Sequence, residues 1–176
     1  IGISHGYTGL AVTLYSQAKD PETMKKVIGY QQEAITVAEK LQDSLTLIVY
    51  YQNISNYYAE IKAFDSASLY LERSKRFIDK TGADNDNMSY YYWKGSLFFK
   101  KREYSSALES YTTAVSYAQK YGSRSFENRI YRAMIKNFKE TGEFKKALFY
   151  LEQTKAFDDS LLTKENFAKA ADIQNK

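Results

Sequence analysis

An all-α chain built as a stack of antiparallel helix pairs, an α-solenoid of about four pairs, is the fold class that these 176 residues predict. Three observations carry it. The first is a 40-residue period. Ala67, Ala107 and Ala147 recur at that interval, each three residues after an aromatic (Phe64, Tyr104, Phe144). Tyr51, Tyr91 and Tyr131 keep the interval, as do Tyr58, Phe98 and Phe138, and then Leu71, Tyr111 and Leu151. A fixed period of this size marks supersecondary units that each bury an apolar face on the next. The second is spacing: Ile54, Tyr57, Tyr58 and Ile61, like Phe64, Ala67, Leu71 and Ile78, sit three or four apart as on an amphipathic helix. The third is a single Pro, which leaves long helical hydrogen-bond ladders unbroken.

The elements follow in order. Asp20-Pro21 supplies an N-cap with Pro at the first helical position. Gly82, Gly122 and Gly142 supply helix stops, and the polar run 84–87 supplies capping groups. The pairs predicted are 5–19 with 22–42, 45–61 with 64–80, 88–101 with 104–121, and 125–140 with 144–158; a last helix starts near Thr163. Residues 1–176 read as one domain, with repeats over 5–42, 45–81, 88–121 and 125–158 and a C-terminal helix over 163–176. The first repeat keeps the period least well: Val27 and Tyr30 precede Ala67 and Tyr70 by 40, but Ala18 stands 40 before Tyr58. Terminal repeats are commonly atypical.

Composition narrows the function. No stretch approaches the ~20 apolar residues of a membrane span. Cys is absent, which removes disulfides and thiol chemistry. His5 is the only His and Cys is absent, so a typical zinc site is not expected and no familiar triad is indicated. Asp84, Asp86 and Asn87 have the composition of a calcium loop but not its spacing, since Met88 takes a ligand position and Gly95 stands where the bidentate Glu belongs. Gly2, Gly6 and Gly9 follow no strand, so a phosphate-cradling loop is not indicated. No catalytic residue, metal or cofactor is expected, and the chain is not read as an enzyme. Residues 1–88 hold 9 Lys/Arg and 11 Asp/Glu, whereas residues 89–176 hold 16 and 10, so the basic excess lies in the second half. The chain opens on Ile1 rather than Met, which predicts a piece of a larger protein.

Tyr91, Gly95, Phe98, Tyr104, Ala107, Tyr111 and Ala114 carry a resemblance to the tetratricopeptide repeat family. Tyr131, Phe138, Gly142, Phe144, Ala147 and Leu151 repeat it, as do Tyr51, Ile54, Tyr58, Phe64, Ala67 and Leu71. The family period is about 34 residues, so the longer period here implies longer helices or linkers. Gly95 has Ser55 and Ile135 as counterparts, so close helix contact there cannot be uniform. The run Ala147–Glu152, then Phe157–Leu162, Glu165-Asn166 and Ala171–Gln174, is similar to the tail of tetratricopeptide sensor regions in Bacteroidetes-type membrane signalling proteins. That resemblance implies a long helix leading to a membrane span and a histidine kinase or DNA-binding output domain, and hence an extracytoplasmic, periplasmic location, with a cytoplasmic one as alternative.

In the family, the first helix of each pair lines a concave wall. Its non-core face, in register, is Val49, Gln52, Asn56 and Ala59, then Ser89, Tyr92, Ser96 and Phe99, then Arg129, Arg132, Lys136 and Lys139. The last four, spaced 3, 4 and 3, align on one helix face away from Tyr131, Met134, Ile135 and Phe138. The expected groove runs from amides (Gln52, Asn56) through Tyr92, Ser96 and Phe99 to cations, which suits an extended acidic peptide. Carboxylate-clamp members resemble it in part, but the early Lys of a clamp is missing. The competing reading of the four cations is a solvated helix face, with Glu127, Glu140 and Glu143 offsetting their repulsion. Tyr90, Tyr91, Tyr92 and Trp93 point four ways on a helix and are mostly packing residues. Aromatics beside cations also serve single-stranded nucleic acid, but the tyrosines are spread over every repeat as core, so no nucleic-acid partner is expected. A protein or peptide partner is expected, for a sensor or adaptor region in signal transduction or transcription regulation. The alternative is an oligomerisation scaffold, a homodimer through the C-terminal helix, with Leu161, Leu162, Phe167, Ala170 and Ile173 in the contact.

Overall fold

The computed structural model describes residues 2–17 and 20–174, with side chains through Ser160 and at Thr163. Among them are eight α-helices and no strand. They are α1 (Gly2–Gln17), α2 (Pro21–Lys40), α3 (Ser44–Glu60), α4 (Phe64–Thr81), α5 (Asn87–Lys100), α6 (Tyr104–Lys120), α7 (Arg124–Glu140) and α8 (Phe144–Gln174). A 3-10 turn, Asp84–Asp86, precedes α5. Asp20 caps α2 as expected: its carboxylate accepts from the N–H groups of Glu22 and Thr23 at 3.1 and 3.0 Å, and Pro21 opens the helix. In the polar linker, the Asn87 amide donates to the Asp84 carboxylate at 2.9 Å, and the expected side-chain cap of α5 is not formed: its N-cap residue Asp86 makes no side-chain capping bond.

One residue in each of six turns is left-handed: Gln42, Lys62, Gly82, Arg102, Gly122 and Gly142, with φ between 53° and 75°. They lie 20 apart, half the repeat period. After five of them, the next N–H reaches back to the carbonyl five residues earlier, as Ala63 to Tyr58 at 2.9 Å and Glu103 to Phe98 at 2.9 Å. This geometry closes the helix end and satisfies carbonyls that would otherwise lack donors. The three glycines advertise the stops; Gln42, Lys62 and Arg102 do not. Left-handed backbone costs an L-residue energy that Gly does not carry, so Lys62→Gly and Arg102→Gly are each expected to raise stability by about 0.5–1 kcal/mol. Urea denaturation checks this; lower midpoints for both variants would sink the account.

The expected stop at 158 and new helix from Thr163 are not found. α8 continues without interruption to Gln174. The residues that suggested a fresh cap bond backwards instead: Ser160 Oγ donates to the Phe157 carbonyl at 2.7 Å and Thr163 Oγ1 to that of Asp159 at 2.9 Å. With no Gly or Pro between 158 and 163, nothing forces the backbone out of the helix. The side chains of Leu161, Leu162, Phe167, Ala170 and Ile173 lie outside the described residues.

Packing divides the chain into two compact units, residues 1–117 and 118–176. In the first, α2 packs on α1 and α3, α3 also on α4 and α5, and α4 on α5. One cluster holds Ala11, Met24, Val27, Ala34, Leu47 and Ile54; another holds Ile48, Ala67, Leu71, Ile78, Tyr90 and Leu97. Lys100 Nζ and Glu60 pair at 2.9 Å between α5 and α3. In the second unit α7 packs on α8. Ile130, Met134, Phe138 and Ala147 are buried there, and the Tyr150 ring lies 4.9 Å from that of Tyr131 and 5.6 Å from that of Phe138.

Candidate binding face

The chemistry of α7 starts from its periodicity. Ile130, Met134, Ile135 and Phe138 turn inward. The residues between them then have to face out, and Arg129, Arg132, Lys136 and Lys139 are all exposed. α7 carries five cations and two carboxylates in all. Like charges three or four apart repel by about 0.2–0.5 kcal/mol per pair, so neutralising partners would be favourable. Only Arg132 has one among the described residues: its guanidinium donates to Asp158 of α8. That exposed pair contributes roughly 0–1 kcal/mol. The Arg129 guanidinium sits 5.3 Å from the centre of the Phe126 ring. Lys136 and Lys139 form no ion pair among the described residues.

Two of the three expected neutralisers, Glu127 and Glu143, are engaged elsewhere. Glu127 Oε1 accepts from the Tyr131 hydroxyl at 2.6 Å and from the Gln119 amide at 2.7 Å. Burial first, then this bond, pushes the Tyr131 phenol up to about 12, so it remains a neutral donor. Glu143 binds Lys146. Among the described residues, neither of the two pairs with Arg129, Lys136 or Lys139.

Sequence reasoning overlooked Asn128 and Asp158. The Asn128 amide donates to Asp158 at 3.3 Å, beside the Arg132 contact, while its buried oxygen Oδ1 has no partner. Asn128 lines a notch of about 80 Å³ with Arg124, Glu127, Tyr131, Gln153 and Phe157. A signal for Asp158 was present: it stands 40 after the buried Ala118 and 80 after the buried Ile78, a charge in a core register.

The first unit places the other candidates differently. Gln52 is 2% exposed, and its amide donates to Ser74 Oγ at 3.1 Å; Ser74 in turn donates to the Ile48 carbonyl. Buried and with its amide nitrogen already bonded to Ser74, Gln52 offers no surface to a ligand and leaves the candidate set. The Asn56 amide donates to the Tyr15 hydroxyl at 3.3 Å. Ala59 is buried, and Val49 is exposed. The amide-lined start of the expected groove is thus taken up by packing. The physical reason is register: at positions 52, 92 and 132 the side chain meets the second helix of its own pair. Gln52 meets Ser74, the Tyr92 ring lies 6.2 Å from that of Tyr111, and Arg132 meets Asp158. Tyr92 and Phe99 are half-buried, set edge-on to Trp93 and Tyr104 at 5.0 and 5.7 Å, and Ser96 is half-buried. A larger, mostly apolar cleft of about 450 Å³ lies in this unit beside Met24, Ile28, Gly29, Tyr58 and Ile61; Lys25 is the only titratable side chain besides Tyr58 on its walls.

No helix among the described residues is long and apolar enough to cross a membrane. No protein-family model and no curated protein matches the chain. Solved structures do. A signal transduction ATPase with numerous domains from Pyrococcus horikoshii, which has a tetratricopeptide repeat sensor, aligns with 96% of this chain at 20% identity and a TM-score of 0.67. The chain spans 25% of that protein's length. BtubC (BKLC) from P. vanneervenii aligns with 90% of this chain at 14% identity and a TM-score of 0.64, over 73% of its own length. At these identities the likeness concerns the fold: all-α, in successive helix pairs of the tetratricopeptide type.

Proposed function

We propose that this tetratricopeptide-like chain is a protein-interaction module that holds an acidic, extended peptide segment along α7, as the sensor or adaptor region of a larger signalling or transcription-regulating protein. The observation that carries the reading is the exposed row Arg129, Arg132, Lys136 and Lys139, of which only Arg132 is tied to a carboxylate. Arg129, Lys136 and Lys139 are available to acid groups. The orphaned Asn128 oxygen in the adjoining notch can accept a backbone N–H from the same peptide. The role as a sensor or adaptor is supported by the tail resemblance and by the fold likeness to a protein with a tetratricopeptide sensor.

Lys136→Ala with Lys139→Ala tests the reading without disturbing the Arg132–Asp158 pair. A Glu/Asp-rich peptide with a free carboxyl end, titrated calorimetrically, is expected to lose about 3- to 30-fold in affinity, the sum of two exposed charge contacts. The remaining affinity should depend less on salt. Unchanged affinity and unchanged salt slope would remove α7 as the binding face.

A further inference from the structure

The 40-residue register allows one position to be compared across repeats. The second helix of a pair carries a stripe spaced 4, 3, 4 and 3. In α4 it is Phe64, Ser68, Leu71, Lys75 and Ile78, all buried or half-buried, and the counterparts in α2 and α6 are likewise covered. In α8 the stripe is Phe144, Leu148, Leu151, Lys155 and Asp158, and all five are exposed. The contrast is large at the apolar positions: Leu71 and Tyr111 are 2% exposed, but Leu151 is 49%, Leu148 56% and Phe144 67% exposed.

The cover in the first unit is known. α5, the first helix of the following pair, brings Tyr90 and Leu97 into the cluster with Leu71 and Ile78, and Lys101 Nζ lies 5.9 Å from the centre of the Phe64 ring. α8 has no such neighbour among the described residues. Where the first helix of another pair would begin, 40 after Arg124, the chain is still in α8. Three large apolar side chains in a row at helical spacing are more than a solvated face requires.

The flank of the stripe says what fits it. Lys145 and Glu152 are both exposed, seven residues apart on the same side of Leu148. We propose that this face of α8 binds the same face of a second copy of the chain, antiparallel, about a two-fold axis. In that arrangement Leu148 packs on Leu151 of the second copy, and the reverse contact repeats it. Lys155 then reaches the Phe144 ring of the second copy, as Lys101 does at Phe64 within one chain. Lys145 comes opposite Glu152 of the second copy, twice, because antiparallel helices set like flanks together. A parallel arrangement sets both charges against the uncharged Ala147 and Thr154 and gains no pair. Asp158 is held by Arg132 of its own chain and stays outside the contact. One helix face buries roughly 1,000 Å² or less in total, the low end for specific interfaces, so the dimer is reversible. This contact lies upstream of the residues 161–173 first considered for self-association, and it does not depend on the peptide-binding reading.

Sedimentation over a wide concentration range tests it. The expected mass rises from one chain to two as concentration rises. Leu148→Glu with Leu151→Glu is expected to keep the mass at one chain, with the circular-dichroism helix signal unchanged because both positions face solvent. Glu152→Lys sets two lysines opposite each other and is expected to weaken association about tenfold or more. Adding Lys145→Glu to Glu152→Lys in the same chain restores the pairs, and with them the dimer. A single-chain mass at every concentration overturns the proposal and leaves the face to a different protein. A dimer that survives Leu148→Glu with Leu151→Glu, or a charge exchange that restores nothing, overturns it as well.

Discussion

Gly95→Ala is expected to destabilise the chain by about 1–3 kcal/mol, the usual cost of overpacking a core. In most helix interiors the same change would stabilise by roughly 0.5–1 kcal/mol, because Gly loses more backbone freedom on folding. Here the sign reverses. A Cβ at position 95 would lie 2.6 Å from two carbons of the Tyr111 ring. The ring has little room to move, since Tyr111 is itself buried in α6. Register explains the arrangement: Gly95 faces Tyr111 in the third pair, whereas Ser55 stands with Leu71 in the second. The smaller residue on one helix makes room for the larger on the other. Thermal unfolding should show a fall of about 2–4 °C for each kcal/mol in a chain of this size. Tyr111→Leu, which installs the Leu that the second pair has at this position, should relieve most of the added cost of Gly95→Ala; two fully additive losses would show that the contact is not what Gly95 provides.

Gln31→Leu is expected to stabilise by about 1–3 kcal/mol, the burial cost of a polar group without a hydrogen bond. Gln31 is wholly buried in α2, and neither its amide nitrogen nor its oxygen has a partner among the described residues. Leu71, Tyr111 and Leu151 occupy the same position in the following pairs, so Gln31 is the polar exception in an apolar register. Leu and Gln have similar volumes, and the exchange adds little strain. Urea unfolding of the variant decides the matter. A lower midpoint would mean that the amide makes bonds worth more than its desolvation.

Much of the fold was legible because helices advertise themselves locally. The predicted 45–61, 104–121 and 125–140 lie within a residue of Ser44–Glu60, Tyr104–Lys120 and Arg124–Glu140 at each end. Stops marked by Gly were readable. The same left-handed turns at Gln42, Lys62 and Arg102 were not, since nothing in those side chains requests positive φ. The unbroken α8 was misread for a related reason: Ser160 and Thr163 can cap a new helix or bond back to an existing one, and sequence does not distinguish the two. Of the candidate site, the outward direction of Arg129, Arg132, Lys136 and Lys139 followed from period alone. The fate of Gln52 did not. The register allotted it to an open face, and only the approach of α4 buried it.

The amino-acid order alone determined the helix pairs, their 40-residue repeat and the row of cations on α7. Each follows from contacts between residues three, four or forty apart, and spacing encodes those contacts directly. The three-dimensional packing decided which carboxylate holds Arg132, why Glu127 does not, and that Leu151 lies open while its counterparts are covered. Those outcomes depend on which helix lies across which. A repeat places chemically equivalent residues at every position of the stack, but only the neighbour that is present can bury them.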